Sequence, residues 1–218
     1  MDVARALLGR YLVRWRDGRC AVVRLVEVEA YRGAQDPGSH AFRGPTPRNR
    51  VMFGEAGHAY VYFTYGNHFM LNLVCGPAGR AGAVLLRGAE PIRGMTALGA
   101  WRAARTRAVP PPAPARDGEP ASRAYVRWLL AGPARLAAAL AIDAADYGRW
   151  MCAGGADAGD GRRLLLTAGE PAADAGVQVS GRIGLRHGAD LPLRFYVGGS
   201  PGVSPARPDL PPRPWSSP

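Results

Sequence analysis

Two carboxylates and a phenol alternate along one short segment of the chain. Glu27, Glu29 and Tyr31 lie in a run of Val and Leu that lacks helical spacing, so we predict a strand here. Alternate residues of a strand share a face, so these three side chains would line one side while Val26 and Val28 face a core. Two carboxylates beside a phenol suit acid–base chemistry. The strand alone fits a solvated, half-buried face equally well.

Tyrosines are concentrated in two further strand-like segments, residues 58–65 and 68–74. Between them, Gly66-Asn67 predicts a two-residue hairpin turn. Aromatic stripes in strands usually belong to a core. Tyr65 is the exception, because a residue at the shoulder of a tight turn is difficult to bury.

Residues 32–57 are rich in Gly and Pro and predict an extended loop. A loop of this length inside a compact domain is more often functional than idle. It carries His40 and the run Thr46-Pro-Arg-Asn-Arg50. Taken alone, a loop histidine is usually just solvated.

The order and spacing of these motifs resemble the alkyladenine (3-methyladenine) DNA glycosylase family. The likeness covers roughly residues 3–203. The matching segments are Glu27 to Tyr31 with Asp36 and His40, residues 46–53, residues 60–66 with Asn72, and residues 84–91, 132–136, 182–184, 193–197 and 199–201. Several motifs in sequence form a far more specific signal than one short pattern.

The resemblance implies a single compact α+β domain with a curled antiparallel sheet, a protruding β-hairpin and surrounding helices. A chain of 218 residues also favours one domain with one sizeable core. We assign residues 1–204 to this catalytic domain. Residues 205–218 are predicted to be a disordered tail.

The resemblance also implies a catalytic group. Glu29 would be the general base that orients and deprotonates a water attacking the sugar's anomeric carbon. Arg87 is the candidate positive neighbour that keeps Glu29 ionised and helps to hold the water. Glu27 shares the strand face, but the family pattern places the chemistry on the second glutamate, so Glu27 is interpreted as structural.

A flipped purine would occupy a pocket built from the same motifs. Asn72 is implied to disfavour guanine by excluding its 2-amino group, and Tyr65 would wedge into the duplex. The residues implied to sandwich the base are Tyr31, His40 and Tyr62.

The charge balance suits a polyanionic partner. The formal net charge is +11, and all 28 basic residues are arginines. A membrane surface or a ribosome would attract such a chain as well, whereas the resemblance favours double-stranded DNA containing damaged purines. Side chains expected to contact that DNA are Arg48, Asn49, Arg50, Arg80 and Arg182.

The absence of lysine decides a mechanistic branch. Glycosylases that also cut the strand form a Schiff base through an amine, usually that of lysine. The sequence contains no lysine. We therefore predict a monofunctional enzyme that leaves an abasic site.

Other features exclude some classes of protein and leave two alternatives open. Three widely spaced cysteines suggest neither a disulfide framework nor a zinc site, and we expect no cofactor. No signal peptide or membrane-spanning run is evident, so a cytoplasmic, nucleoid-associated monomer is expected. A non-catalytic nucleic-acid binder would explain the charge but not Glu29. A metal-dependent hydrolase using Glu27, Glu29, Asp36 and His40 lacks a recognisable metal-ligand spacing and ranks last.

Overall fold

The computed structural model describes residues 2–154, 159–205 and 213–214. The four helices of these residues are α1 (Asp2–Leu7), α2 (Met95–Ala103), α3 (Arg123–Leu130) and α4 (Pro133–Ala139). The strands are β1 (Tyr11–Arg16), β2 (Arg19–Tyr31), β3 (Ala59–Thr64), β4 (His68–Val74), β5 (Ala83–Arg93), β6 (Arg163–Thr167), β7 (Val177–Ser180), β8 (Arg194–Val197) and β9 (Arg213–Pro214). Short 3-10 helices occur between them.

All strand pairs are antiparallel, in the order β3-β4-β5-β2-β8-β7-β9, with β1 pairing to both β2 and β6. The 13-residue β2 organises this curled sheet. Its first half pairs with β1 and its second half with β8, while β5 runs along its other edge. The result is the α+β fold that the family resemblance implied.

The hydrophobic core lies between the sheet and the helices. Apolar side chains of β2, such as Leu25 and Val28, are fully buried together with Leu129 of α3 and Leu136 of α4. Helix α4 packs on β4 and β5, so it supports the second strand of the hairpin and the strand next to it. Burial of each such side chain stabilises the fold by about 1.5–3 kcal/mol.

The hairpin of β3 and β4 differs from its prediction. Thr64 pairs with His68, so the connection has three residues rather than the predicted two. Tyr65 and Gly66 both have positive φ, +53° and +72°, and the Asn67 amide donates to the Thr64 carbonyl at 3.3 Å. This is the pattern of a type I′ turn shifted by one residue, with Tyr65 inside it.

Several boundaries also differ. The sequence of residues 177–185 predicts one strand, but β7 ends at Ser180. Strand β6 lies in the segment 153–176, for which the composition predicted nothing. Within the predicted tail 205–218, Arg213–Pro214 pairs with β7. Residues 206–212 and 215–218 lie outside the described residues.

Candidate active site

A β-bulge brings an arginine between the two carboxylates of β2. Glu27 is paired with Gly88 and Val28 with Leu86, so Arg87 is an extra residue of β5. Its Nε donates to Glu27 Oε1 at 2.9 Å, and its Nη1 lies 3.2 Å from Glu29 Oε1. These two carboxylates raise the pKa of Arg87 despite its burial, so it remains a cation.

Glu29 is fully buried and held in one orientation. The Tyr31 hydroxyl donates to its Oε2 at 2.8 Å, and the Ile183 backbone N–H donates to its Oε1 at 2.8 Å. With Arg87 also on Oε1, that oxygen has two partners and Oε2 has one. A carboxylate has about four acceptor sites, so Oε2 retains capacity for a further donor such as water.

Glu27 serves as the anchor of a buried charge cluster. Besides Arg87, it accepts from Arg194 Nε at 2.7 Å and from the Ser204 backbone N–H at 2.6 Å. Burial alone would raise the pKa of Glu27, but the charges of Arg87 and Arg194 outweigh it and hold the pKa below its ordinary value. These contacts fit the structural role predicted for Glu27.

The pocket residues that the resemblance implied line one small cavity of about 40 Å³. Its walls are Tyr31, His40, Tyr62 and Asn72, joined by Gly38, Met52, Tyr60, Ala83 and Leu185. The ring centroids of His40 and Tyr62 are only 4.5 Å apart, at an interplanar angle of 69°. The two rings therefore touch edge to face, and the cavity holds water-sized groups rather than a purine.

The polar groups of this cavity are fixed by neighbours. His40 Nδ1 lies 2.8 Å from the Tyr60 hydroxyl, and the Asn72 amide donates to the Tyr60 carbonyl at 2.9 Å. Burial, with the charge of Arg48, lowers the pKa of His40, so the imidazole is neutral at pH 7. Burial raises the pKa of Tyr60 to about 12, and burial likewise raises the pKa of Tyr62. The cavity is thus aromatic and uncharged.

Tyr65 stands at the tip of the hairpin, 78% exposed, as expected from its place beside the turn. Phe63, about half exposed, lies just behind it on β3. Arg48 connects the hairpin to the loop, since its Nη2 donates to the Phe63 carbonyl at 3.1 Å and its guanidinium lies 5.2 Å from the Tyr62 ring centre.

The predicted DNA contacts divide into two groups. Arg48, Arg50 and Arg80 are exposed. Arg182 is fully buried and forms two 2.6 Å hydrogen bonds with Asp36, which contradicts its prediction as a phosphate contact.

Asn49 is also misassigned by the sequence prediction. Its side chain is buried, accepts from the Thr46 backbone N–H at 2.6 Å, and donates to the His40 carbonyl at 2.8 Å. It shapes the loop that presents His40 instead of facing outward. The Arg182 guanidinium has a comparable positioning effect, because it lies 4.6 Å from the ring centre of Tyr31.

Three groups that orient the site were not predicted from the sequence. They are the Ile183 backbone N–H on Glu29, Arg194 on Glu27, and the Tyr60 hydroxyl beside His40. Arg194 had one usable signal, since it is a charged residue inside a short, otherwise apolar strand. A backbone N–H leaves no trace in the residue pattern.

The candidate metal set is not assembled as a metal site. Asp36 is occupied by Arg182, and Glu27 by Arg87 and Arg194. Within residues 2–154, 159–205 and 213–214, no three His, Cys, Asp or Glu side chains are grouped to hold an ion. The same residues contain no helix long and apolar enough to cross a membrane.

Comparison with known proteins agrees with this geometry. A family model described as Methylpurine-DNA glycosylase (MPG) matches residues 1–201. The chain belongs to this family. Methylpurine-DNA glycosylases are DNA-repair hydrolases, so the substrate of this protein is DNA.

Curated relatives extend the match to almost the whole chain. A protein of Carboxydothermus hydrogenoformans is 42% identical over 202 residues, which cover 93% of this chain and 92% of that protein. One from Streptomyces avermitilis is 45% identical over 214 residues, covering 98% of this chain and 90% of that protein. Both bear the name "Putative 3-methyladenine DNA glycosylase".

Proposed function

We propose that this methylpurine-DNA glycosylase flips an alkylated or deaminated purine out of duplex DNA and hydrolyses its N-glycosidic bond with a water activated by Glu29. Its substrate would be 3-methyladenine, with hypoxanthine and ethenoadenine as further candidates. The observation that carries the proposal is the fixed, buried Glu29 carboxylate, joined through Tyr31 to an uncharged aromatic cavity.

Base flipping requires a substitute for the departed base. Extruding a nucleotide costs a few kcal/mol. Stacking of an aromatic ring on a base contributes about 1–3 kcal/mol, so the exposed Tyr65 ring would offset much of this cost. The hairpin supports this use, since its turn projects Tyr65 away from the core.

Base entry would require the cavity to open. A purine stacked between His40 and Tyr62 needs the two rings on its opposite faces, yet they touch edge to face. One of the two rings therefore turns aside as the base enters. Arg182 packs on Tyr31 and Asp36 anchors Arg182, so Tyr31 is the fixed wall of the pocket.

Chemistry would proceed at Glu29 Oε2, the carboxylate oxygen with only one protein partner. This oxygen accepts a proton from water as the water oxygen bonds to the anomeric carbon. The bond from that carbon to the purine nitrogen breaks, and the base leaves with the bonding electrons. Positioned proton transfer of this kind accelerates reactions by roughly 10²–10⁴. Arg87 is a positioning residue that holds Glu29 and balances its charge.

The proposed enzyme is monofunctional. None of the 218 residues is a lysine that could form a Schiff base with the sugar. We also propose that the protein acts as a monomer on duplex DNA in the cytoplasm, associated with the nucleoid in a bacterium.

The test is base release from duplex oligonucleotides that carry one hypoxanthine or ethenoadenine, and from methylated DNA. Release should leave abasic sites that break only after alkali treatment. Borohydride trapping of a covalent protein–DNA adduct would overturn the monofunctional mechanism. Tight, salt-sensitive binding without release of any base would favour the non-catalytic binder instead.

A further inference from the structure

A second cavity lies on the other side of the hairpin. It is open, measures about 450 Å³, and is lined by His68 and Phe69 at the start of β4, Arg102 of α2, Arg105 just beyond α2, and Arg135 of α4. No part of the aromatic cavity that contains Tyr31 and His40 contributes to it. It is therefore a separate concave surface.

Three arginines line this cavity, and their charges are poorly balanced. Among the described residues, Arg102 and Arg135 form no ion pair, and the nearest carboxylate of Arg105 is Asp143 at 3.8 Å. Asp143 is already engaged with Arg16 at 2.7 Å. The cavity thus concentrates positive charge without an acidic partner of its own.

Arg102 is the feature that distinguishes this cavity from a solvated basic surface. Arg102 is only 8% exposed. Its Nε donates to the Trp128 carbonyl at 2.7 Å, and its guanidinium lies 5.0 Å from the Trp128 ring centre. The described residues give its two Nη groups no hydrogen-bond partner. Burial, with the charge of Arg135, lowers the pKa of Arg102 to about 10, so it is still a cation at neutral pH.

The ligand that fits these groups is a phosphate. A guanidinium presents its N–H groups in a planar fork that matches two oxygens of a phosphate, and an anion would relieve the repulsion between Arg102 and Arg135. The cavity is concave, and the Arg102 guanidinium is held in place without an ion-pair partner among the described residues. Both features favour binding of a single anion over a diffuse attraction of anions to the surface.

The register of the hairpin places this cavity relative to the wedge. On β3, Tyr60 and Tyr62 face the aromatic cavity, whereas Phe63 pairs with Phe69 on the opposite face. Tyr65 stands at the tip between the two faces. If Tyr65 wedges into a duplex, the two DNA strands would therefore lie on opposite sides of the hairpin.

We propose that the cavity of Arg102, Arg105 and Arg135 binds a backbone phosphate of the undamaged DNA strand, on the side of the Tyr65 wedge opposite the flipped nucleotide. This inference rests on the wedge role of Tyr65 in the proposed function. By binding this phosphate, the protein would hold the complementary strand in place while the damaged nucleotide leaves the base stack.

The first experiment measures binding to a duplex with a stable abasic-site analogue, so it requires no catalysis. The variant Arg105→Gln/Arg135→Gln should bind about tenfold more weakly than wild type, as expected for lost charge-assisted hydrogen bonds. The slope of log affinity against log salt should fall by about 0.9 for one lost phosphate contact. The control Arg19→Gln/Arg116→Gln removes the same charge from two exposed arginines elsewhere. Equal effects of the two double variants would overturn the proposal.

A second experiment locates the phosphate. Single uncharged methylphosphonates are placed in turn along each strand. One position in the undamaged strand should weaken wild-type binding but leave Arg105→Gln/Arg135→Gln unaffected. An interfering position confined to the damaged strand would refute the strand assignment. Saturation of the cavity by inorganic phosphate, without any change in the salt slope for DNA, would assign it to a free anion instead.

The catalytic step provides a separate readout. Single-turnover base release at saturating enzyme should be equal in wild type and the control Arg19→Gln/Arg116→Gln, because these two arginines line neither cavity. If wild type releases no base while the binding results hold, the proposed hydrolysis fails and the phosphate site stands. If release is normal and the binding results match the control, only the phosphate site fails.

Discussion

Replacing Arg182 by methionine should destabilise the fold and leave the salt dependence of DNA binding unchanged. Both Nη groups of Arg182 bond to Asp36, and two further bonds of 3.0 Å reach the carbonyls of Ala30 and Gly188. Both charged side chains are fully buried. Arg182→Met would leave the Asp36 carboxylate without a counter-charge.

The magnitude follows from that burial. Breaking a buried ion pair on one side costs about 3–5 kcal/mol, because the remaining charge is uncompensated. For a chain of this length each kcal/mol lowers Tm by about 2–4 °C, so the loss should be roughly 6–20 °C. Arg182→Met/Asp36→Asn removes both charges and should recover part of this loss.

The assay combines urea unfolding with DNA binding at several salt concentrations. The matched control is Arg50→Met, a change at an exposed arginine that should leave stability nearly unaltered. Wild-type stability of Arg182→Met together with a reduced salt slope of DNA binding would contradict the structural role of the buried pair. That result would return Arg182 to the DNA-contacting surface.

Three further changes test the hairpin and the buried charges. Tyr65→Ala should slow base release from duplex DNA by roughly 5–150-fold, the equivalent of about 1–3 kcal/mol of stacking. Tyr65→Phe keeps the aromatic ring and should keep the wild-type rate. Equal rates for the two variants would exclude the wedge. Glu27→Gln should lower the free energy of unfolding by about 3–5 kcal/mol, because Arg87 and Arg194 lose the carboxylate that they share. Surface substitutions change this free energy by roughly 0.5 kcal/mol, so a change of that size in urea unfolding would contradict the prediction. Burial alone would raise the pKa of the Asp36 carboxyl. Hydrogen bonds from Arg182 outweigh this effect and lower the pKa below its ordinary value of 3.8. Its stabilisation is therefore present above pH 3.8 and is lost as pH falls through the folded pKa. Acid unfolding of Asp36→Asn should show a shallower pH dependence, and an unchanged curve would argue against the pair.

The alternation of β2 was readable from the sequence because it is a local property. Glu27, Glu29 and Tyr31 share contacts on one side of the strand, as predicted. The bulge that inserts Arg87 between the carboxylates depends on the pairing of β2 with β5, about 60 residues later. Neither strand contains that information alone.

Arg182 and Arg48 show why the DNA contacts were only partly predictable. Both are arginines in polar, Gly-containing surroundings, and their types give no indication of burial. The partner of Arg182 is Asp36, 146 residues earlier in the chain, so its role appears only once the fold joins them. Arg48 bonds within the neighbouring hairpin and remains exposed.

The prediction of the hairpin turn was wrong for a different reason. Gly66-Asn67 is a strong turn signal, but the turn also requires a positive φ at Tyr65, which residues other than glycine seldom adopt. Strand β6 was missed because its pairing with β1, not its composition, stabilises it.

The role of Glu29 is tested by the single-turnover rate of base release by Glu29→Gln on a hypoxanthine duplex, with EDTA present. We expect a rate roughly 10²–10⁴ lower than that of wild type, with DNA affinity retained, and a wild-type rate insensitive to EDTA. Release by Glu29→Gln at the wild-type rate, or loss of wild-type activity in EDTA, would contradict Glu29 as the base that activates the water.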